Sequence, residues 1–150
     1  MTALRDGGCQ CGALRFRIRG EPLSVCACHC TDCQRRSGSA FGITLFAARS
    51  QVELVRGEPA RYDYAEADGR RWLGTYCPRC AVRLWSESPR VPEVLFLAAG
   101  TLDDRAGIEP VAHVWLRSAR PWVRIPDHVL TFERQPDMET LVRAWRERRR

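Results

Sequence analysis

Eight of the 150 residues are cysteines, and seven of them fall into three tight motifs: Cys9-x-Cys11, Cys28-x-Cys30-x-x-Cys33 and Cys77-x-x-Cys80. Cysteines one or two residues apart are badly placed to bridge each other, because a disulfide demands a narrow range of Cα separations and directions. The same pairs can both turn onto one metal ion. The N-terminal stretch MTALRDGG has no basic region followed by an apolar run, so it does not read as a secretory signal. Without export the expected compartment is the cytoplasm, where thiols stay reduced and clustered cysteines point to metal before disulfides.

Zinc takes four protein ligands in structural sites, and three plus an open position in catalytic ones. Cys9, Cys11, Cys77 and Cys80 make a complete thiolate set that joins the N-terminal region to a point 66 residues beyond Cys11. A stapling role for zinc is expected there, with iron as the rival for soft ligands. Cys28, Cys30 and Cys33 supply three thiolates from one short segment, the protein share of an open site. Cys26 shares a strand face with Cys28. It is either a fourth ligand that closes the site or a small buried hydrophobe. His29 faces the other way and reads as a hydrogen-bonding group.

The remaining pattern is that of sheet. In ALRFRIR, Leu14, Phe16 and Ile18 alternate with Arg15, Arg17 and Arg19, the period of a strand with one wet face. Strands are also predicted over 41–48, 51–57, 60–65, 70–77 and 82–88, with Cys77-Pro78-Arg79-Cys80 at a hairpin tip. The apolar run 94–100 reads as a central strand covered on both faces, and 110–116 and 121–125 as two more. Only the end looks helical. Asp137 can cap, and Met138, Leu141, Val142 and Trp145 follow helical spacing, giving a helix over about 138–149. The sequence thus predicts one mostly antiparallel β domain over 1–150 with a short C-terminal helix.

All 24 basic residues are arginine, and the net charge is +6. They are scattered apart from Arg146–Arg150, and no basic stripe is interleaved with aromatics, which argues against a nucleic-acid surface. No apolar run approaches the ~20 residues a membrane span needs. Arg35 and Arg36 directly follow the middle cluster.

Taken in order, GGCQCGALRFRI, CHCTDCQRRSGSAFG and YCPRCAVRLW resemble the glutathione-dependent formaldehyde-activating enzyme family, which includes the CENP-V type domain. The resemblance extends through AAGTLDD and HVWLRSARPWVRI, and so covers about 7–125. It implies a complex β fold with two zinc ions. By motif position Cys9, Cys11, Cys77 and Cys80 match the family's structural site. Cys28, Cys30 and Cys33 match its catalytic site, where glutathione is the implied small-molecule partner. Its two carboxylates make Arg35 and Arg36 the nearest candidates in sequence to bind it, since guanidinium pairs with carboxylate through two hydrogen bonds; the alternative is that both face solvent. The implied reaction joins glutathione to formaldehyde as S-hydroxymethylglutathione; in reverse it is a carbon–sulfur lyase. Cys26 lies outside the matched motif. A non-catalytic, zinc-stabilised protein-binding module is the alternative, because function resides in the site and not in the fold.

Overall fold

A computed structural model describes residues 3–149. These form two compact units, one made of residues up to Pro22 together with Phe46–Ala106, the other of Leu23–Leu45 with the residues from Gly107 onward. Arg150, the last residue of the basic tail, lies outside the described residues.

The first unit is antiparallel. Strands β1 (Leu4–Gly8) and β2 (Arg15–Arg19) form a hairpin. The predicted alternation in β2 holds, with Phe16 and Ile18 fully buried and the arginines between them at the surface. The Asp-Gly-Gly stretch, which the sequence suggests is a flexible entry, is instead strand. A Cβ on Gly7 would stand 2.4 Å from the Phe16 ring, and one on Gly8 2.3 Å from the Leu14 carbonyl oxygen. Glycine here permits close approach, not flexibility. After β3 (Ser24–Cys28), helix α1 (Thr31–Ser37) and β4 (Gly42–Ala48), strand β5 (Val52–Arg56) pairs with the free side of β2.

The same unit continues as a meander of β6 (Ala60–Ala65), β7 (Arg71–Tyr76), β8 (Arg83–Glu87) and β9 (Val94–Ala98), each strand antiparallel to the next. The residues between β7 and β8 carry Cys77 and Cys80, as the predicted hairpin requires. Gly74 of β7 lets the Tyr62 ring lie flat over the strand, where any Cβ would stand 2.3 Å from it. Phe16 meets Trp85 edge-on at 6.1 Å between ring centroids, within a core that includes Leu14, Leu84 and Leu97.

The second unit holds further departures from expectation. Strand β3 is buried at every position and pairs in parallel with β10 (Ala112–Val114), which pairs in parallel with β11 (Leu130–Thr131). Continuous burial is what parallel strands show when both faces are covered. No strand forms over 121–125: Pro121 and Pro126 lack the donor a ladder needs, and the Val123 N–H turns back to the Arg120 carbonyl at 3.1 Å. Helix α1 is likewise unforeseen. Helix α2 (Met138–Arg148) matches its prediction. Asp137 accepts from the Thr140 N–H at 2.8 Å, and Leu141 and Trp145 are buried. It packs on β3, where the Ser24 hydroxyl donates to the Leu141 carbonyl. Among the described residues no helix is long and apolar enough to cross a membrane.

Candidate metal centres

All eight cysteines are free thiols, and seven of them gather into two groups within which every sulfur lies within 4.8 Å of the others. Either group could hold a metal ion.

The first group, Cys9, Cys11, Cys77 and Cys80, belongs to the first unit. Two short turns build it. In one, the Cys9 N–H donates to the Leu14 carbonyl, Gly12 turns the chain at φ 76°, and the Leu14 N–H comes back to the Cys9 sulfur at 3.2 Å. In the other, the Cys77 N–H donates to Val82, the Ala81 N–H to Cys77, and Ala81 occupies the left-handed region at φ 61°. A non-glycine residue there is strained, and the strain aims the Cys77–Cys80 turn at its partner. Cys9 and Cys11 stand 3.6 Å apart at sulfur, and Cys11 and Cys77 3.8 Å apart. Backbone N–H groups of Cys11 and Val82 take the Cys80 thiol down to about 6. The loop thus presents sulfur as thiolate, the form a metal binds.

The second group, Cys28, Cys30 and Cys33, belongs to the second unit. Cys28 ends β3, Cys30 is the N-cap of α1, and Cys33 sits in the first turn of that helix. The Cys30 sulfur accepts from the Cys33 N–H at 3.3 Å, so a thiol takes the place usually filled by serine or aspartate. Asp32 in the first turn and left-handed Gly38 after the last complete the helix signals. Cys28 and Cys30 donate to the Cys33 sulfur, and with Arg36 beside it they take Cys33 down to about 3. Hydrogen bonding with Cys30 and Cys33, together with burial, pushes Cys28 up, so Cys33 ionises more readily than Cys28.

Cys26 is not part of the group. It is buried, and loss of water together with the negative Cys33 pushes its thiol up to about 12. Such a thiol stays protonated and packs as a small hydrophobe. His29 is fully buried, its Nε2 shares a hydrogen bond of 2.8 Å with His113 Nδ1, and the Phe41 ring stands 5.0 Å away. That fits the hydrogen-bonding role read from its position.

Arg35 and Arg36 differ. Arg36 is half-buried and donates to the Cys33 sulfur at 3.4 Å, while Arg35 is exposed. Sequence reasoning missed Gln34, whose amide donates to both the His29 carbonyl (2.8 Å) and the Ser118 carbonyl (2.9 Å). A glutamine between a cysteine and two arginines gives no sequence signal for such a bridge.

Residues 4–118 match the glutathione-dependent formaldehyde-activating enzyme family. A relative from Halomonas elongata whose name carries that description is 32% identical over 127 residues, which is 81% of either chain. A Rhodobacter sphaeroides protein of known crystal structure shares the fold, with a TM-score of 0.52 at 24% identity over 70% of this chain and 91% of that one. With both cysteine groups inside the matched span, this chain belongs to the glutathione-dependent formaldehyde-activating enzyme family.

Proposed function

We propose that the protein is a zinc-dependent, carbon–sulfur lyase type enzyme of the cytoplasm that binds glutathione or a related thiol at Cys28, Cys30 and Cys33. In one direction it joins the thiol to formaldehyde or a similar aldehyde; in the other it cleaves the adduct. The observation that carries this reading is the contrast in ligand number: four sulfurs in one group and three in the other, with buried Cys26 outside both.

The donor sets fit zinc. Tetrahedral Zn–S bonds of about 2.3 Å place sulfurs ~3.8 Å apart, and in the four-sulfur group Cys9 and Cys11 stand 3.6 Å apart and Cys11 and Cys77 3.8 Å apart. On this reading Cys9, Cys11, Cys77 and Cys80 hold a structural ion, and the other three cysteines hold a catalytic one with a position left for substrate. When bound there, zinc supplies the acidity that lets a substrate thiol lose its proton near neutral pH.

The chain's own residues do the rest. Hydrogen bonds from Cys28 and Cys30, with a smaller contribution from Arg36, favour the anionic form of Cys33, and Arg35 is exposed to meet a substrate carboxylate. In the forward reaction the thiol sulfur bonds to the carbonyl carbon. The π pair of the C=O bond moves to oxygen, and the proton lost from sulfur ends on that oxygen. A thiol of pKa ~8.5 is only about 3% ionised at pH 7. Full ionisation therefore raises the reactive fraction ~30-fold at most, or ~2 kcal/mol. Any larger acceleration has to come from holding thiol and aldehyde together, where ~7–11 kcal/mol is available in principle.

The test is saturable thiol binding combined with turnover. Purified protein is mixed with glutathione and formaldehyde, and adduct formation is followed by NMR exchange. Enhanced exchange that Cys30→Ser abolishes supports the proposal. A rate equal to the uncatalysed one leaves the protein-binding module as the better reading.

A further inference from the structure

Glutathione carries two carboxylates at opposite ends, and Arg35 can meet only one of them. A second cation is needed to meet the other, and the turn that follows β10, whose Val114 lies opposite Cys28 of β3, supplies a candidate.

At the end of β10 the chain turns sharply at Trp115, which sits at φ 63°, ψ 39°. This left-handed conformation is costly for a bulky residue and persists only where the surroundings enforce it. The enforcement is visible. Leu116 and Arg117 donate their N–H groups to the carbonyls of Phe132 and Glu133, and Gln34 donates to the Ser118 carbonyl. Gln34 follows Cys33 directly, so one amide fixes the turn at 116–118 to the helix that carries the thiolates.

The backbone of the turn is therefore held from two directions while its cations are released. Arg117 and Arg120 are exposed and make no side-chain hydrogen bond or ion pair among the described residues. Arg15, Arg17, Arg19, Arg49, Arg70 and Arg148 pair with a carboxylate of the chain itself, whereas Arg61, Arg71 and Arg124 are exposed and unpaired like Arg117. What distinguishes Arg117 is its turn, tied to the thiol-bearing helix through Gln34. Trp122, five residues beyond Arg117, is 69% exposed. A strained turn that is pinned to the thiol-bearing helix and offers unpaired guanidinium groups suits recognition of an anionic ligand.

We infer that Arg117, positioned through the Gln34–Ser118 bridge, binds a carboxylate of the thiol substrate and makes the site selective for acidic thiols. Arg120 supplies further positive charge on the same turn. This rests on the thiol-binding reading of Cys28, Cys30 and Cys33. An extended tripeptide spans ~10 Å, so a thiol held at the sulfurs leaves its charged ends to reach the surrounding surface.

The test compares glutathione with its diethyl ester, which has the same thiol and no carboxylate charge, by calorimetric titration of the intact, metal-containing protein. Wild type should bind glutathione about tenfold more tightly than the ester, in line with a hydrogen bond to a charged group. Arg117→Ala should lose most of that preference through weaker glutathione binding, and Arg117→Lys should keep part of it. Arg143→Ala, the same loss of charge on exposed α2 surface, should leave the preference intact. Equal affinity of wild type for both ligands overturns the inference, as does an equal loss in the Arg117→Ala and Arg143→Ala variants. Wild type that binds neither ligand overturns the thiol-site reading and this inference with it.

Discussion

The two cysteine groups offer the same ligand chemistry from opposite chain geometries. In the first unit four sulfurs come from two turns, and Cys11 and Cys77, 66 residues apart, meet at 3.8 Å. In the second, three sulfurs come from one continuous stretch in which Cys28 and Cys33 are five residues apart. The chain entropy of closing a loop grows as the logarithm of its length, giving ~4 kcal/mol for the long closure and ~1.4 kcal/mol for the short one before any constant. An ion in the first group therefore constrains the unfolded chain far more. The second group lies within a strand end and one helical turn, where the backbone already fixes its members. A site that contributes little to the fold is free to leave a ligand position for substrate.

The largest effect expected from this comparison is on stability. Cys77→Ser breaks the long closure and leaves three thiolates without their partner. Structural zinc contributes on the order of 10 kcal/mol in small metal-dependent peptides. Here the unit has its own core, and a loss of several kcal/mol is expected, large against a typical stability of ~5–15 kcal/mol. Urea unfolding of the variant beside wild type measures it. A midpoint that stays put would remove the stapling role.

Cys30→Ser should behave in the contrary way. Serine is a preferred N-cap, so α1 keeps the acceptor that Cys30 gives to the Cys33 N–H, and unfolding should shift by about 1 kcal/mol or less. Glutathione binding should be lost. If this variant and Cys77→Ser unfold alike, the division of roles between the groups is wrong.

Metal release sharpens the same contrast. Two zinc ions per chain are expected by elemental analysis, and a chelator in excess should remove one quickly and leave the other. The ion lost first should be the one whose removal abolishes thiol binding and spares the fold. A single ion that resists chelation would contradict the two-site account.

The smallest effects belong to groups outside both clusters. Arg15 holds Asp103, and Arg17 holds Asp6, below the usual carboxylate range. A carboxylate whose folded pKa is depressed stabilises the protein above its unfolded value near 3.8, and that contribution fades as the pH falls through the folded value. Both pairs are well exposed to solvent, whose screening leaves each only a small contribution. Asp103→Asn should lower stability slightly at pH 7 and leave it unchanged at pH values below the folded pKa of Asp103, which flattens the acid limb of the stability profile.

The cysteine groups were legible in the sequence because ligand spacing is close to a covalent constraint: residues one to two apart meet at one point in almost any fold. Strand β2 was legible because one wet face imposes a period of two on Leu14, Phe16 and Ile18. Helix α1 was not. It buries none of its seven residues, so no apolar stripe marks it, and its cap is a cysteine. Strand β1 was hidden because Gly7 and Gly8 read as flexibility, whereas their reason is the Phe16 ring and the Leu14 carbonyl, which only the folded chain brings near. The parallel pairing of β3 with β10 joins segments 86 residues apart, Cys26 opposite Ala112. An apolar run announces burial but not its partner. The turn at Trp115 gave no signal at all, since a left-handed tryptophan is dictated by its surroundings and not by its own preference.

Cobalt substitution tests the central claim most directly, because the visible bands of cobalt(II) respond to coordination number and to the count of sulfur ligands. The account holds that the Cys28, Cys30 and Cys33 site accepts an outside thiol and that Cys26 is no ligand. Adding glutathione to the cobalt protein should therefore change the ligand-field and sulfur charge-transfer bands, and Cys26→Ala should leave the starting spectrum as it is. A spectrum indifferent to glutathione but altered by Cys26→Ala would mean that Cys26 closes the site, and the proposed chemistry would have no position in which to occur.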